Sequence, residues 1–181
     1  MSTRKKYRIG LLLACAPFIA SAQGNQTESI KAFMAAAPVL QHPRCINCHP
    51  KGDSPLQTDA SRAHIFNVKR GPKDRGVGGY TCKSCHPSVN VADTPGAVNW
   101  HLAPRAMAWS QSSNAEICAA LTDKARNGNR TLSEIVAHVG HDALVLWAWQ
   151  PGNKRTTPPL SHLEFVNLMR RWAATGGFCP K

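Results

Sequence analysis

Apolar and polar residues follow each other along this chain in four different rhythms. Behind a basic stretch (Arg4, Lys5, Lys6, Arg8) comes an apolar run from Ile9 to Ile19, closed by Ala20-Ser21-Ala22. This is the order of a secretory leader with an A-x-A cleavage site, so residues 1–22 are expected to be removed. From Thr27 to about Ala37, residues Ile30, Phe33, Met34 and Ala37 share one face of an expected helix, which Pro38 or its neighbours should end. Leu40 to about Trp109 shows no sustained apolar period and is rich in Gly, Pro, Asn and basic residues.

Helical rhythm returns from Gln111 to Lys181, where three S/T-x-x-E boxes mark helix starts: Ser113 with Glu116, Thr131 with Glu134, and Ser161 with Glu164. Ile117, Ala120 and Leu121 follow the first box. Ile135, Val139 and Leu146 follow the second, and Phe165, Leu168, Met169 and Trp172 the third. Gly128 and Gly176 stand where helix ends are expected. Gln150-Pro151-Gly152-Asn153 and Thr157-Pro158-Pro159 predict a rigid, exposed connection between the last two helices.

The chain has 181 residues, with 22 Lys+Arg against 10 Asp+Glu, enough for one domain or two small lobes. Loss of the first 22 residues, four of them basic and none acidic, leaves 159 residues and lowers the formal charge from +12 to +8. Cleavage before Cys15 would instead give a lipidated N-terminus, although Leu13 is large for such a site. No other apolar run approaches the roughly 18–20 residues of a membrane span. The expected location is therefore the periplasm, where nucleic acid is not an expected partner.

Export changes what the cysteines mean, because thiols seldom stay free in an oxidising compartment. Four of the six outside the leader fall in Cys45-Ile46-Asn47-Cys48-His49 and Cys82-Lys83-Ser84-Cys85-His86, two copies of the C-x-x-C-H haem attachment motif. Two thiols at that spacing reach the two vinyl groups of one haem, and the adjacent histidine becomes the proximal iron ligand. Two covalently attached haem c groups are expected, held by Cys45, Cys48 and His49 and by Cys82, Cys85 and His86. Paired C-x-x-C units also build structural zinc sites, but a histidine directly after both pairs is rarely a coincidence. Cys118 and Cys179 remain, and are expected to pair as a disulfide that ties the tail to the helical lobe.

Each haem also needs, or leaves open, a position on its other face. His64 lies between the motifs and His101 fifteen residues after His86, both in the Gly/Pro-rich stretch, so they are the foremost candidate metal ligands. His42, Met107 and the helical histidines His138, His141 and His162 are alternatives. Met107 is also a natural gap filler. The five tryptophans, Trp100, Trp109, Trp147, Trp149 and Trp172, are expected to pack against haem and helices. Arg62, Lys69, Arg70, Lys73, Arg75 and Lys83 cluster between the motifs, where they would steer an acidic redox partner or offset haem propionates.

The stretches His42-Pro43-Arg44-Cys45-Ile46-Asn47-Cys48-His49-Pro50, Trp100 to Trp109, Ala125-Arg126-Asn127-Gly128 and Leu146-Trp147-Ala148-Trp149 give the chain a resemblance to small exported dihaem c-type cytochromes. These are often labelled as accessory to isoquinoline 1-oxidoreductase. The resemblance implies an electron-accepting role beside a periplasmic molybdenum hydroxylase-type dehydrogenase.

The expected fold is mainly α with little or no β-sheet: a loop-rich dihaem cytochrome c lobe over residues 23–110 and a C-terminal helical lobe, 111–181, packed on it. The expected role is electron transfer between redox partners rather than catalysis. The alternatives are a peroxidase-like haem enzyme with one open or labile site, and a haem sensor or structural haem protein.

Overall fold

The computed structural model describes residues 18–181 apart from residue 153, with side chains from residue 25 onward. Residues 1–17 of the expected leader, including Cys15, lie outside the described residues. Helix α1 (Phe18–Leu40) leads into the short α2 (Pro43–Ile46). Loops then hold two small antiparallel hairpins, β1 (Leu56–Gln57) with β2 (Arg62–Ala63) and β3 (Gly76–Val77) with β4 (Tyr80–Thr81). The short α3 (Cys82–Cys85) follows, then α4 (Asn114–Thr122), α5 (Leu132–His141), α6 (Ala143–Leu146) and α7 (His162–Ala174). The protein is mainly α with little sheet, as its sequence pattern predicts. Among the described residues, no helix is long and apolar enough to cross a membrane.

All three expected capping boxes form. Ser113, Thr131 and Ser161 each accept from the backbone N–H of the glutamate three residues on, and each glutamate accepts from its cap residue's N–H in return. These reciprocal bonds satisfy donors that a helix start otherwise leaves unpaired. They also hold the carboxyls of Glu116, Glu134 and Glu164 below their ordinary pKa.

The apolar core lies where α1, α4, α5 and α7 meet. Phe33, Ile117, Phe165, Met169 and Trp172 are fully buried in it, and the Phe33 and Trp172 rings lie 5.6 Å apart. Helix α1 thus packs on α7 and α4, so the helical core draws on residues from both sides of position 110. Cys118 on α4 is joined to Cys179 in the expected disulfide, with Cα atoms 5.5 Å apart.

Helix α1 departs from the expected Thr27–Ala37 span at both ends. It runs through Pro38 to Leu40. A proline inside a helix loses one backbone bond and costs about 3 kcal/mol, but Val39 and Leu40 beyond it are buried at 0% and 3% exposure. Burial at about 1.5–3 kcal/mol for each such side chain offsets that cost. The buried stripe is also rotated from the expected face: Met34 is 42% exposed, while Ser29, Ala32, Ala36 and Ala37 are buried. Small residues there let α7 approach, and Ser29 Oγ donates to Trp172 O at 3.0 Å while accepting from Phe178 N at 2.9 Å.

Two further expectations are corrected. Leu146 belongs to α6 rather than α5, because Asp142 leaves helical geometry and caps α6 by accepting from Leu144 N at 2.9 Å. Gly128 does not end α4, which stops at Thr122. It sits in a later turn that Asn127 fastens through bonds to Leu121 O, Arg130 O and Arg130 N. Gly176, at φ +110°, does follow directly on the end of α7.

Candidate haem site

Each C-x-x-C-H unit begins on one helical turn. Pro43 presets the start of α2, and His42 caps it by accepting from Arg44 N at 3.2 Å. Cys48 N and His49 N continue the turn with bonds of 3.1 Å to Cys45 O and Ile46 O. The second unit repeats this on α3, where His86 N donates to Cys82 O at 2.9 Å and Thr81 stands at the N-cap. Residues three apart on a helical turn share a face, so each turn carries its two thiols on one side and delivers its histidine at the end.

The two histidines are held alike. His49 Nδ1 lies 2.6 Å from Met107 O, and His86 Nδ1 lies 2.7 Å from Pro95 O. A carbonyl can only accept, so Nδ1 carries the proton in both rings and Nε2 keeps its lone pair. This is the orienting bond that metal-ligating histidines make with their other nitrogen. Each ring also stacks on a tryptophan: His49 on Trp109 at 3.5 Å and 14°, His86 on Trp100 at 4.4 Å and 7°. Burial is the main cause that pushes the His49 pKa down to about 3 and lowers that of His86, which keeps both rings neutral at pH 7.

Both motifs border one large space. A cavity of about 1110 Å³ is lined by Cys48, Cys82, Cys85 and His86, slightly larger than the roughly 300–1,000 Å³ of ordinary ligand pockets. Its wall includes Ile65, Phe66 and Tyr80, each more than half exposed, an apolar surface of the kind that a bound partner covers. Burial raises the thiol of Cys48 to about 11 and that of Cys45 to about 12. Cys82 and Cys48 line the same cavity.

These features fit haem. The donors are two thiols and one Nε2 imidazole per motif; Cys48 of the first motif and Cys82, Cys85 and His86 of the second line the apolar cavity, whereas Cys45 and His49 do not. Arg44 Nε and Asn47 Oδ1, on residues that line the cavity, are buried without a protein partner, as groups that meet a polar cofactor edge would be. A structural zinc site would ask more ligands of the protein. Among the described residues no three His, Cys, Asp or Glu side chains converge as a metal-binding group, whereas structural zinc takes four protein ligands. Haem iron takes four nitrogens from the porphyrin and asks the protein for one or two.

The remaining candidates separate. His64 and His101 both line the cavity. The His64 ring centre lies 6.0 Å from that of His86, while His101 Nδ1 bonds to Asn99 O. His42 is occupied at both nitrogens, by Arg44 N and by Thr156 Oγ1 at 3.3 Å. His162 Nε2 donates to Val139 O at 2.9 Å, and His138 Nδ1 faces Asp142 Oδ2 at 3.3 Å. Met107 is buried in the core cluster, and its carbonyl is what orients His49.

Within the basic cluster Arg70 stands apart, because it is buried and bonded to Asp74 and Ala103 O. Arg62, Lys69, Lys73, Arg75 and Lys83 are exposed. Arg44, Asn47 and Arg155 join the cavity wall without having been assigned a role from sequence. Arg155 reaches it from the Pro/Gly-rich connection, held by Pro151 O at 2.9 Å and by Asp93 O, and no local pattern signals that. No protein-family model, curated protein or solved structure matches the chain.

Proposed function

We propose that this protein is a periplasmic dihaem c-type cytochrome that passes electrons between redox partners. The observation that carries the reading is the repeated arrangement of His49 and His86: each follows a C-x-x-C turn, is locked by Nδ1 to a carbonyl, and stacks on a tryptophan. Cys45 and Cys48 would hold one haem with His49 as ligand, and Cys82 and Cys85 the other with His86. A c-type haem supplies one-electron ferric/ferrous chemistry.

The chain's own residues set the conditions for it. The carbonyls of Met107 and Pro95 fix the tautomer and raise the basicity of the two ligands. Trp100 and Trp109 hold the ring planes. Cys48 and Cys82 line the same cavity, which suits exchange between two centres. The exposed Arg62, Lys69, Lys73, Arg75 and Lys83 suit an acidic partner, for which a molybdenum hydroxylase-type dehydrogenase is the proposed class. The Cys118–Cys179 disulfide agrees with an oxidising compartment.

Expression with a c-type maturation system, followed by mass measurement and spectra of the dithionite-reduced protein, tests the reading. Two covalent haems per chain, each reversibly reduced, are expected. A chain that matures without haem, or haems that no donor reduces in a useful potential range, would overturn it.

A further inference from the structure

We infer that His64 is the sixth ligand of the haem held by Cys82, Cys85 and His86, which makes that centre bis-histidine; this rests on the proposed function. The His64 and His86 rings stand 6.0 Å apart, centre to centre, and their planes cross at 72°. That spacing lies within the edge-to-face range of aromatic pairs and is also one that a shared metal ion would set. Two imidazoles on opposite sides of one metal ion, each with a bond of about 2.0–2.1 Å, place their ring centres about 6.3 Å apart.

The protonation pattern agrees. His64 Nδ1 lies 2.7 Å from Ile65 O, so it carries the proton and leaves Nε2 as the coordinating atom, as in His86. The loop is built to hold this ring. His64 N donates to Pro55 O at 3.0 Å beside the β1–β2 hairpin, and Phe66 and Asn67 directly after it adopt positive φ of 60° and 49°. Left-handed backbone at two successive non-glycine residues persists where surroundings impose it, and such residues cluster at ligand clamps. His101 also lines the cavity and has its Nδ1 bonded to Asn99 O, but it is the His64 ring that stands beside His86 at the spacing two ligands of one ion would have.

Holoprotein of the wild type, His64→Ala and His64→Met, each with its haem content measured, provides the test through carbon monoxide binding and EPR spectra. The wild type should show a strongly anisotropic low-spin ferric signal, because the two imidazole planes are near perpendicular. His64→Ala should bind carbon monoxide at one more haem per chain than the wild type. His64→Met should keep that iron six-coordinate, gain a thioether-to-iron charge-transfer band, and raise one of the two potentials.

Wild-type protein that already binds carbon monoxide at both haems would overturn the assignment. So would a dihaem His64→Ala protein with unchanged carbon monoxide binding and EPR, or a His64→Met protein without the new band. Each of these leaves the dihaem reading standing. A wild-type chain with no attached haem would end that reading itself.

Discussion

The helical core and the loop segment from Asn47 to Ser112 are stabilised by different means. The core closes on its own side chains: Phe33, Ile117, Phe165 and Trp172 are buried against each other, and each of the helices α4, α5 and α7 starts on a complete capping box. The loop segment has two hairpins of minimal length, positive φ at Thr58, Ser61, Phe66, Lys73 and Asn99, and Ile65, Phe66 and Tyr80 turned out to its cavity. Its apolar burial rests on few side chains, chiefly Leu102, Met107 and Trp109, against the ordering entropy of the whole stretch. Under the proposed function two haems would supply the missing core, and the contrast would then be one chain dividing its stability between side chains and a prosthetic group.

Removal of the proposed haems should break the comparison most severely. A chain with Cys45→Ser, Cys48→Ser, Cys82→Ser and Cys85→Ser is expected to lose most hydrogen-exchange protection between residues 47 and 112 while α1, α4, α5 and α7 keep theirs. Equal protection in both regions would show that the loops fold unaided. Trp172→Ala acts on the other side. It empties the centre of the core and should cost about 3–5 kcal/mol in denaturant unfolding.

The disulfide comes next in size. Cys118→Ser with Cys179→Ser should lower the stability of the helical core by about 2–4 kcal/mol, read by thermal unfolding, with the optical spectrum of the haems unchanged. Smallest is the loss of one cap, with Thr131→Ala costing about 1 kcal/mol. The pH dependence shares that origin. The carboxyls of Glu116, Glu134 and Glu164 are held below their ordinary range in the folded protein, chiefly by bonds from their cap residues. As pH falls, the unfolded chain takes up protons first. The stabilisation is therefore complete above the unfolded carboxylate range and lost as pH drops through the folded values. Glu134→Gln should flatten that part of the acid unfolding curve.

What could be read in advance depended on how far along the chain the decisive partner lay. Capping boxes involve residues three apart, and all three were legible. The C-x-x-C-H units are also local, so the proposed haem ligands His49 and His86 could be named from them. The carbonyls that orient those rings belong to Met107, 58 residues from His49, and to Pro95, nine from His86; nothing near either motif announces them. Ser29 is a polar residue in the most buried stripe of α1, and its reason is a partner 143 residues away. Pro38 misleads for the opposite cause: its local effect is real, but distant packing of Val39 and Leu40 outweighs it.

The bond between Ser29 and the backbone of α7 also sets an order of events. A chain emerges from the ribosome with its N-terminus first, so α1 waits through almost the whole of synthesis for the helix it packs against. Until residues 172–179 appear, the four-helix core has no centre and its disulfide no second half. Both C-x-x-C-H segments emerge well before that moment. The helical core thus closes last, on the C-terminal residues, after the rest of the chain has been made.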